Sequence, residues 1–195
     1  MRHYYSRDQS DTAHDHREIV YDFRGERYVF KTDKGVFSRA HVDGASDFLL
    51  DTVDIAEQER VLDLGCGYGV LGIVIARHFQ ADVTLSDVNK RALELTEDNL
   101  SMNRIKATLL ESDGFADIEG VFDHIVTNPP IRIGKRALYP MLESALKSLA
   151  DDGTLWIVVH KKHGAHSLVE HMATLADTRI VKRRKGRFVV ACKNR

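Results

Sequence analysis

Apolar and polar residues recur with two different periods along this chain, and the period divides the chain into strands and helices. From Glu18 the runs I-V-Y-D-F and R-Y-V-F-K flank a turn at Arg24–Glu26, which predicts a β-hairpin. Residues 44–53 carry their apolar side chains at helical spacing. From Arg60 onward, short apolar runs alternate with longer segments of helical spacing, which indicates an α/β fold.

The predicted elements of that main region follow one another regularly. The predicted strands begin at Arg60 and end at Leu64, and then cover 82–86, 107–111, 122–127, 154–160, 178–182 and 187–192. The predicted helices cover 70–79, 90–102, 137–150 and 165–175. Because the last two strands have no helix between them, they should form a hairpin in which one strand runs antiparallel. We therefore predict a doubly wound, mostly parallel seven-stranded sheet with an antiparallel C-terminal strand and an N-terminal β-hairpin.

Length and composition fit one globular unit. The 195 residues divide into a polar tail and hairpin appendage, residues 1–35, and one main domain, residues 36–195. The apolar runs are too short for a membrane span, no signal core is found, and two cysteines fit a reducing cytoplasm. With a net charge of −1, a nucleic-acid partner would have to be held by local basic patches.

The stretch from residue 60 to 72, R-V-L-D-L-G-C-G-Y-G-V-L-G, joins a predicted strand to a predicted helix. Gly65 and Gly67 permit a tight turn and let a ligand approach the backbone, and the helix start offers unpaired N–H groups. Asp63, two residues before the first glycine, would repel a pyrophosphate but suits a cation or an amine. S-adenosylmethionine carries a sulfonium and an amino group, so we predict that this loop binds that cofactor.

Two further carboxylates follow the next strands. Asp87 comes about 20 residues after the glycines, where an acidic side chain is expected to accept hydrogen bonds from ribose hydroxyls. Such a charge-assisted bond contributes about 1.5–3 kcal/mol. Asp113 and Gly114 follow the third strand, where Asp-Gly is equally typical of a plain turn.

Asn128-Pro129-Pro130-Ile131 follows the fourth strand, at the edge where parallel α/β sheets bind ligands. Two prolines stiffen the backbone and remove two N–H donors, so nearby carbonyls can face a ligand as acceptors. The Asn128 amide oxygen and the Pro129 carbonyl would accept both protons of an exocyclic amine and turn its lone pair toward a methyl donor. A simple turn explains the prolines but not the asparagine.

Basic residues form three clusters that could contact phosphates. Two of them follow the fourth and fifth strands, at the predicted ligand edge, and supply Arg132, Lys135, Lys161 and Lys162. The third cluster, at residues 182–187, lies in a hairpin turn and is equally well explained as a solvated face. The histidines between residues 160 and 166 match no metal-binding pattern, so we predict no metal site.

These motifs resemble those of class I S-adenosylmethionine-dependent methyltransferases. The glycine stretch is similar to their motif I, and N-P-P followed by an apolar or aromatic residue is similar to the motif of members that methylate amide or amine nitrogens. Further stretches resemble the ribosomal RNA small subunit methyltransferase C family, from about Gly35 almost to the C-terminus. They are G-V-F-S at Gly35, Asp43, Leu49-Leu50, D-V-N at Asp87, T-N-P-P-I-R-I-G-K at Thr127 and W-I-V-V-H-K-K-H-G-A at Trp156.

The resemblance implies a Rossmann-like class I methyltransferase that methylates a guanosine N2 in small-subunit ribosomal RNA. Ribosomal RNA or the small ribosomal subunit would be its partner. It implies that Asp113 meets the adenine amino group and Phe115 covers the ring. It places catalysis at Asn128, Pro129, Pro130 and Ile131. It places the cofactor at Asp63, Gly65, Cys66, Gly67, Asp87, Val88, Asp113, Gly114, Phe115 and Asn128.

Two alternatives stay open. Glutamine N5 methylation of a protein would fit N-P-P-Y better than the N-P-P-I found at Ile131, and an isoleucine would stack less strongly on a flipped base. A module that binds cofactor or RNA without catalysis does not explain the intact asparagine motif. The family's long members carry a further N-terminal domain that we expect this chain to lack, so the target nucleotide and the oligomeric state stay open.

Overall fold

In a computed structural model, which describes residues 15–34, 36 and 38–195, strands and helices alternate as predicted through the main domain. The strands are β1 (Arg17–Phe23), β2 (Glu26–Thr32), β3 (Arg60–Leu64), β4 (Asp82–Asp87), β5 (Thr108–Glu111), β6 (Phe122–Thr127), β7 (Leu149–His160), β8 (Asp177–Arg184) and β9 (Arg187–Lys193). The α-helices are α1 (Gly44–Leu50), α2 (Val70–His78), α3 (Lys90–Asn103), α4 (Lys135–Lys147) and α5 (Ala165–Ala173).

The main sheet has seven strands in the order β5-β4-β3-β6-β7-β9-β8. Strands β3 to β7 are parallel to their neighbours, and β9 is antiparallel to both β7 and β8. Strands β1 and β2 form a separate antiparallel pair. The predicted fold class is therefore confirmed, including the antiparallel strand near the C-terminus and the N-terminal hairpin.

The boundaries around α4 and β7 differ from those predicted. Helix α4 begins at Lys135 and ends at Lys147, and β7 already begins at Leu149 opposite Phe122. The apolar pattern of residues 149–150 continues the helical spacing, and the D-D-G that follows is typical of a turn. The structure instead places these residues in a strand with an irregular register, in which Gly153 has the Ala150 and Phe122 carbonyl oxygens 3.0 Å from where a Cβ would lie.

Helices cover both faces of the sheet because alternate side chains of each strand point to opposite sides. Helices α1, α2 and α3 and the hairpin share one apolar core with Val158 and Val189. Helices α4 and α5 share the other core with Ile157 and Val190. Within the described residues, no helix is both long enough and apolar enough to cross a bilayer.

The hairpin is attached to α3 by two asparagines one helical turn apart. Asn103 pairs with both backbone groups of Val29 (3.1 and 2.7 Å), and Asn99 pairs with both backbone groups of Lys31 (2.6 and 3.0 Å). The Asn99 amide also donates to the Tyr68 carbonyl (2.8 Å), so the hairpin is linked to the glycine-rich loop. The division at residue 35 stays a prediction. The predicted tail lies mostly outside the described residues, as do Gly35 and Phe37.

Candidate functional site

The glycine-rich loop after β3 has four glycines with two different surroundings. Gly65 and Gly67 have positive φ angles of 74° and 59°, and a Cβ at either position would meet nothing within 4 Å. A Cβ at Gly69 would lie 2.8 Å from Thr96, and one at Gly72 would lie 2.4 Å from Leu85. The first two glycines therefore face space that a ligand can occupy, whereas the last two let α2 pack closely.

The backbone of this loop is fixed by β4 and α3. The N–H groups of Gly65 and Cys66 both donate to the Ser86 carbonyl at 2.9 Å, and the Thr96 hydroxyl donates to the Gly67 carbonyl at 2.8 Å. The Cys66 side chain is buried, and this burial raises the pKa of its thiol well above the usual value. Cys66 therefore offers the site its backbone rather than a reactive sulfur.

Asp63 points from β3 into the protein beneath the loop and is 1% exposed. Its Oδ2 accepts from the Gly72 N–H at 2.8 Å, while its buried Oδ1 has no hydrogen-bond partner among the described residues. Burial, with a smaller contribution from the charge of Asp87, raises the pKa of Asp63 to about 7. A buried carboxylate oxygen without a partner is costly, so this atom fits a donor brought by a ligand, such as an ammonium group.

Asp87 ends β4 and is brought against the same loop. Its Oδ2 accepts from the Gly67 N–H and its Oδ1 accepts from the Asn89 N–H, both at 2.9 Å. Burial raises the pKa of Asp87 despite these bonds. Because each carboxylate oxygen can accept two hydrogen bonds, the side chain keeps capacity for ribose hydroxyls. Val88, the next residue, is half-buried beside it.

The segment after β5 lies alongside Asp87, since the Ser112 N–H donates to the Asp87 carbonyl at 3.0 Å. Gly114 has a positive φ of 61°, and the Ser112 hydroxyl closes the turn by donating to its carbonyl at 3.1 Å. Asp113 is exposed, and Phe115 is half-buried against the core formed with α4 and α5. The structure thus brings the three predicted cofactor segments to one edge of the sheet.

Asn128 follows β6 at that edge and is held by α1. Its amide nitrogen donates to Asp43 Oδ2 at 3.0 Å and to Ser46 Oγ at 3.1 Å. Asp43 also caps α1 by accepting from the Ala45 and Ser46 N–H groups. A carboxylate can only accept, which fixes the amide nitrogen on this side. No described residue donates to the Asn128 oxygen.

The two prolines after Asn128 differ in what their carbonyls do. The Pro130 carbonyl accepts from the Ile133 N–H at 3.0 Å inside a 3₁₀ turn, Ile131–Ile133. No described residue donates to the Pro129 carbonyl. Ile131 is half-buried against the core beneath α4 and α5. The Asn128 and Pro129 oxygens are therefore both without a hydrogen-bond donor among the described residues.

The predicted substrate residues lie on the same side of the molecule but are held less firmly. Arg132, Lys161 and Lys162 are exposed, and no described residue accepts from their side chains. Lys135 is exposed as well, but its ammonium donates to Ser167 Oγ at 2.5 Å and lies 5.9 Å from the Tyr139 ring centroid. Among the described residues no group of three or more potential metal ligands occurs.

Two residues of the site carried little or no signal in the sequence. Ser46 was not predicted, and Asp43 entered only through resemblance. The D-G-A-S stretch before an apolar run does have the character of a helix N-cap, which could have placed both at the start of α1. Their contact with Asn128 bridges more than 80 positions of the chain, at separations of 85 and 82 residues.

A separate cavity of about 410 Å³ lies between the loop before β6 and strands β4 and β5. It is lined by residues that include Thr84, Thr108 and Val121. None of the predicted site residues lines it, so its volume says nothing about the cofactor site.

Comparison with known proteins connects this geometry to a family. A model of the methyltransferase small domain matches residues 27–191. The uncharacterised protein YbxB of Bacillus subtilis (strain 168) is 36% identical over 197 residues, which cover 98% of each chain. Ribosomal RNA small subunit methyltransferase C of Escherichia coli (strain SMS-3-5 / SECEC) is 33% identical over 162 residues, covering 80% of this chain and 47% of that protein.

A solved structure gives the same picture. The T. thermophilus 16S rRNA N2 methyltransferase RsmC, solved with AdoMet and guanosine, has a TM-score of 0.81 and 28% identity. The match covers 92% of this chain and 51% of that chain. The chain thus spans about half the length of these two RNA methyltransferases.

Proposed function

The chain belongs to the methyltransferase small domain family and is an S-adenosylmethionine-dependent methyltransferase, and we propose that it methylates the exocyclic N2 of a guanosine in small-subunit ribosomal RNA. The predicted cofactor and the predicted class of enzyme are confirmed by this membership and by the AdoMet-bound neighbour. The acceptor atom and the RNA are our proposal.

The residues at the glycine-rich loop fit this cofactor. We assign its amino group to the unpartnered Asp63 Oδ1, and its ribose hydroxyls to Asp87. Gly65 and Gly67 leave open space for close approach to the backbone. When bound, S-adenosylmethionine supplies a methyl group on a positively charged sulfur. The remaining predicted contacts follow from position beside these groups and comprise Cys66, Val88, Asp113, Gly114, Phe115 and Asn128.

One observation carries the proposed acceptor chemistry. Both hydrogen bonds of the Asn128 amide nitrogen go to Asp43 and Ser46, so the amide oxygen is turned away from them. Together with the Pro129 carbonyl it offers two acceptors, which match the two protons of an –NH₂ group. An exocyclic amine is a poor nucleophile because its lone pair is delocalised into the base. Holding both protons orients that lone pair, and orientation of this kind can contribute about 7–11 kcal/mol.

The choice of guanine in ribosomal RNA rests on the relatives and on the rim. Guanine, adenine and glutamine all carry a planar –NH₂, so the acceptor pair alone does not separate them. The E. coli relative is named as a small-subunit ribosomal RNA methyltransferase, and the T. thermophilus neighbour as an N2 enzyme solved with guanosine. The exposed cations Arg132, Lys161 and Lys162 would hold phosphates around such a target.

The test is methyl transfer to small-subunit RNA from a strain that lacks this protein. Naked RNA and small subunits are incubated with purified enzyme and labelled S-adenosylmethionine, and the labelled nucleosides and amino acids are identified by mass spectrometry. We expect label in N2-methylguanosine at one position. Label in N6-methyladenosine, label in methylglutamine of a ribosomal protein, or no transfer to either substrate would contradict the proposal.

A further inference from the structure

Helix α1 lies across the ends of β7, β9 and β8, and its acidic side chains hold basic side chains of the β8–β9 hairpin. Lys182 contacts Asp51 at 3.0 Å, and Arg184 contacts Asp47 at 2.7 Å. The Arg184 guanidinium also lies 4.6 Å from the Phe48 ring centroid. The part of the third basic cluster that faces α1 is therefore largely neutralised by the protein itself.

Arg187 continues this series of cations without an acid to meet it. It is the cross-strand partner of Arg184, so both side chains point toward the α1 face. Helix positions 51, 47 and 44 succeed one another along one face of α1. The third of these is Gly44, where a Cβ would lie 3.4 Å from the Arg187 guanidinium. Arg187 is half-buried, and it forms no ion pair with any described residue.

The unpaired guanidinium lies at the catalytic edge. Arg187 begins β9 opposite His160, the last residue of β7. Gly44, which the guanidinium contacts, directly follows Asp43, the residue that orients Asn128. Loss of solvent, followed by the charges of His163, Arg187 and Lys162, lowers the pKa of His160, so a positive field surrounds this corner of the site.

We propose that Arg187 binds a backbone phosphate of the RNA beside the target nucleotide. This inference rests on the proposed function, because it requires an RNA substrate. A half-buried guanidinium with no internal partner presents its donors in a fixed fork that matches phosphate oxygens. Arg187 thereby acts as a substrate-positioning residue, distinct from Lys182 and Arg184 of the same hairpin.

The experiment compares two matched variants, Arg187→Gln and Arg184→Gln, which remove the same charge from neighbouring strands. Affinity for a small-subunit RNA fragment is measured from 50 to 200 mM salt without methyl transfer. We expect Arg187→Gln to weaken binding about tenfold at low salt and to lower the salt slope by about one. Arg184→Gln should leave both values near those of the wild type. Arg187→Lys should keep the slope, because it keeps the charge.

Several outcomes would overturn the inference. Unchanged affinity in Arg187→Gln, or equal losses in both glutamine variants, would show that Arg187 has no special contact. Lost affinity with an unchanged slope would indicate a contact to a base rather than a phosphate. Thermal melting of each variant shows whether it is folded, and Arg187→Lys supplies the readout if Arg187→Gln is not. If the wild type binds RNA without salt dependence, the proposed function fails as well, which the variants alone would not produce.

Discussion

The catalytic edge has two halves that are built differently. In the cofactor half, the backbone of the glycine-rich loop is tied to β4 and α3, and the key carboxylates Asp63 and Asp87 are held by backbone N–H groups. In the substrate half, Arg132, Lys161 and Lys162 extend into solvent without internal partners among the described residues. A small ligand of fixed shape favours the first construction, and a long flexible polyanion is compatible with the second.

Asn128 stands between these halves, so its removal should separate their functions most clearly. We expect Asn128→Ala to lower the turnover rate about 10²–10³-fold, as expected when one orienting hydrogen bond of oxyanion-hole quality is lost. Cofactor affinity should stay nearly unchanged, because the cofactor contacts are supplied mainly by β3, β4 and the segment after β5. Single-turnover methyl transfer and calorimetry with S-adenosylmethionine measure the two effects. A wild-type transfer rate would refute this role.

The contact between Asn128 and Asp43 allows a sharper version of that test. Asn128→Asp keeps an acceptor oxygen but faces the Asp43 carboxylate, 3.0 Å away in the wild type, so like charges would repel. Exchanging the two side chains, as Asn128→Asp with Asp43→Asn, restores a donor and an acceptor and keeps a good helix N-cap. We expect the double variant to transfer methyl groups on the order of tenfold faster than Asn128→Asp alone. No recovery would mean that the amide itself, not its orientation, is required.

Within the cofactor half, Asp87→Ala should weaken S-adenosylmethionine binding about 10–100-fold, because the ribose hydroxyls lose charge-assisted partners. The loop also loses the bond between Asp87 and the Gly67 N–H. Asp82→Ala is the matched control, since Asp82 is an exposed carboxylate at the other end of the same strand. Calorimetry should detect the loss only in the first variant. Equal affinities for the two variants would contradict the assignment of Asp87.

The raised pKa of Asp63, about 7, predicts a pH dependence of cofactor binding. An ammonium group prefers the ionised carboxylate, so affinity should rise with pH up to about 7 and then level off. Below pH 7 it should fall by up to about tenfold per pH unit. Asp63→Asn should bind more weakly at pH 8 and lose this dependence. A wild-type affinity that is constant between pH 5.5 and 8 would exclude Asp63 as the ammonium partner.

The same group should affect stability in the opposite direction. Between about pH 4, the usual value for an aspartate, and pH 7, the folded protein without cofactor binds the Asp63 proton while the unfolded chain has lost it. The free energy of unfolding contributed by this group therefore decreases as pH rises through that window and stays constant above it. Comparison of Asp63→Asn with the wild type by chemical denaturation at pH 5 and pH 8 isolates this term.

The contrast between the halves also explains what the sequence could predict. The cofactor half is encoded locally, since strand, glycines and helix occupy one short stretch and Asp87 closes the next strand in register. The partners of Asn128 could not be read in this way, because Asp43 and Ser46 lie more than 80 positions away and meet it only once α1 packs on the sheet, at separations of 85 and 82 residues. The basic cluster at 182–187 was ambiguous for the same reason. Only the packing of α1 distinguishes Arg184, which is paired, from Arg187.

The smallest effect is expected within the rim itself, between Arg132 and Lys135. Both were predicted to contact phosphate, but Lys135 donates to Ser167 Oγ while the Arg132 side chain has no acceptor among the described residues. Removing one phosphate contact should reduce the change in RNA affinity between 50 and 200 mM salt by about threefold to fourfold. We expect this reduction for Arg132→Gln and a smaller one for Lys135→Gln, because lysine must first leave its internal partner. Cofactor affinity should be unchanged in both variants. A larger loss in Lys135→Gln would mean that the contact with Ser167 positions the ammonium for RNA instead of competing with it.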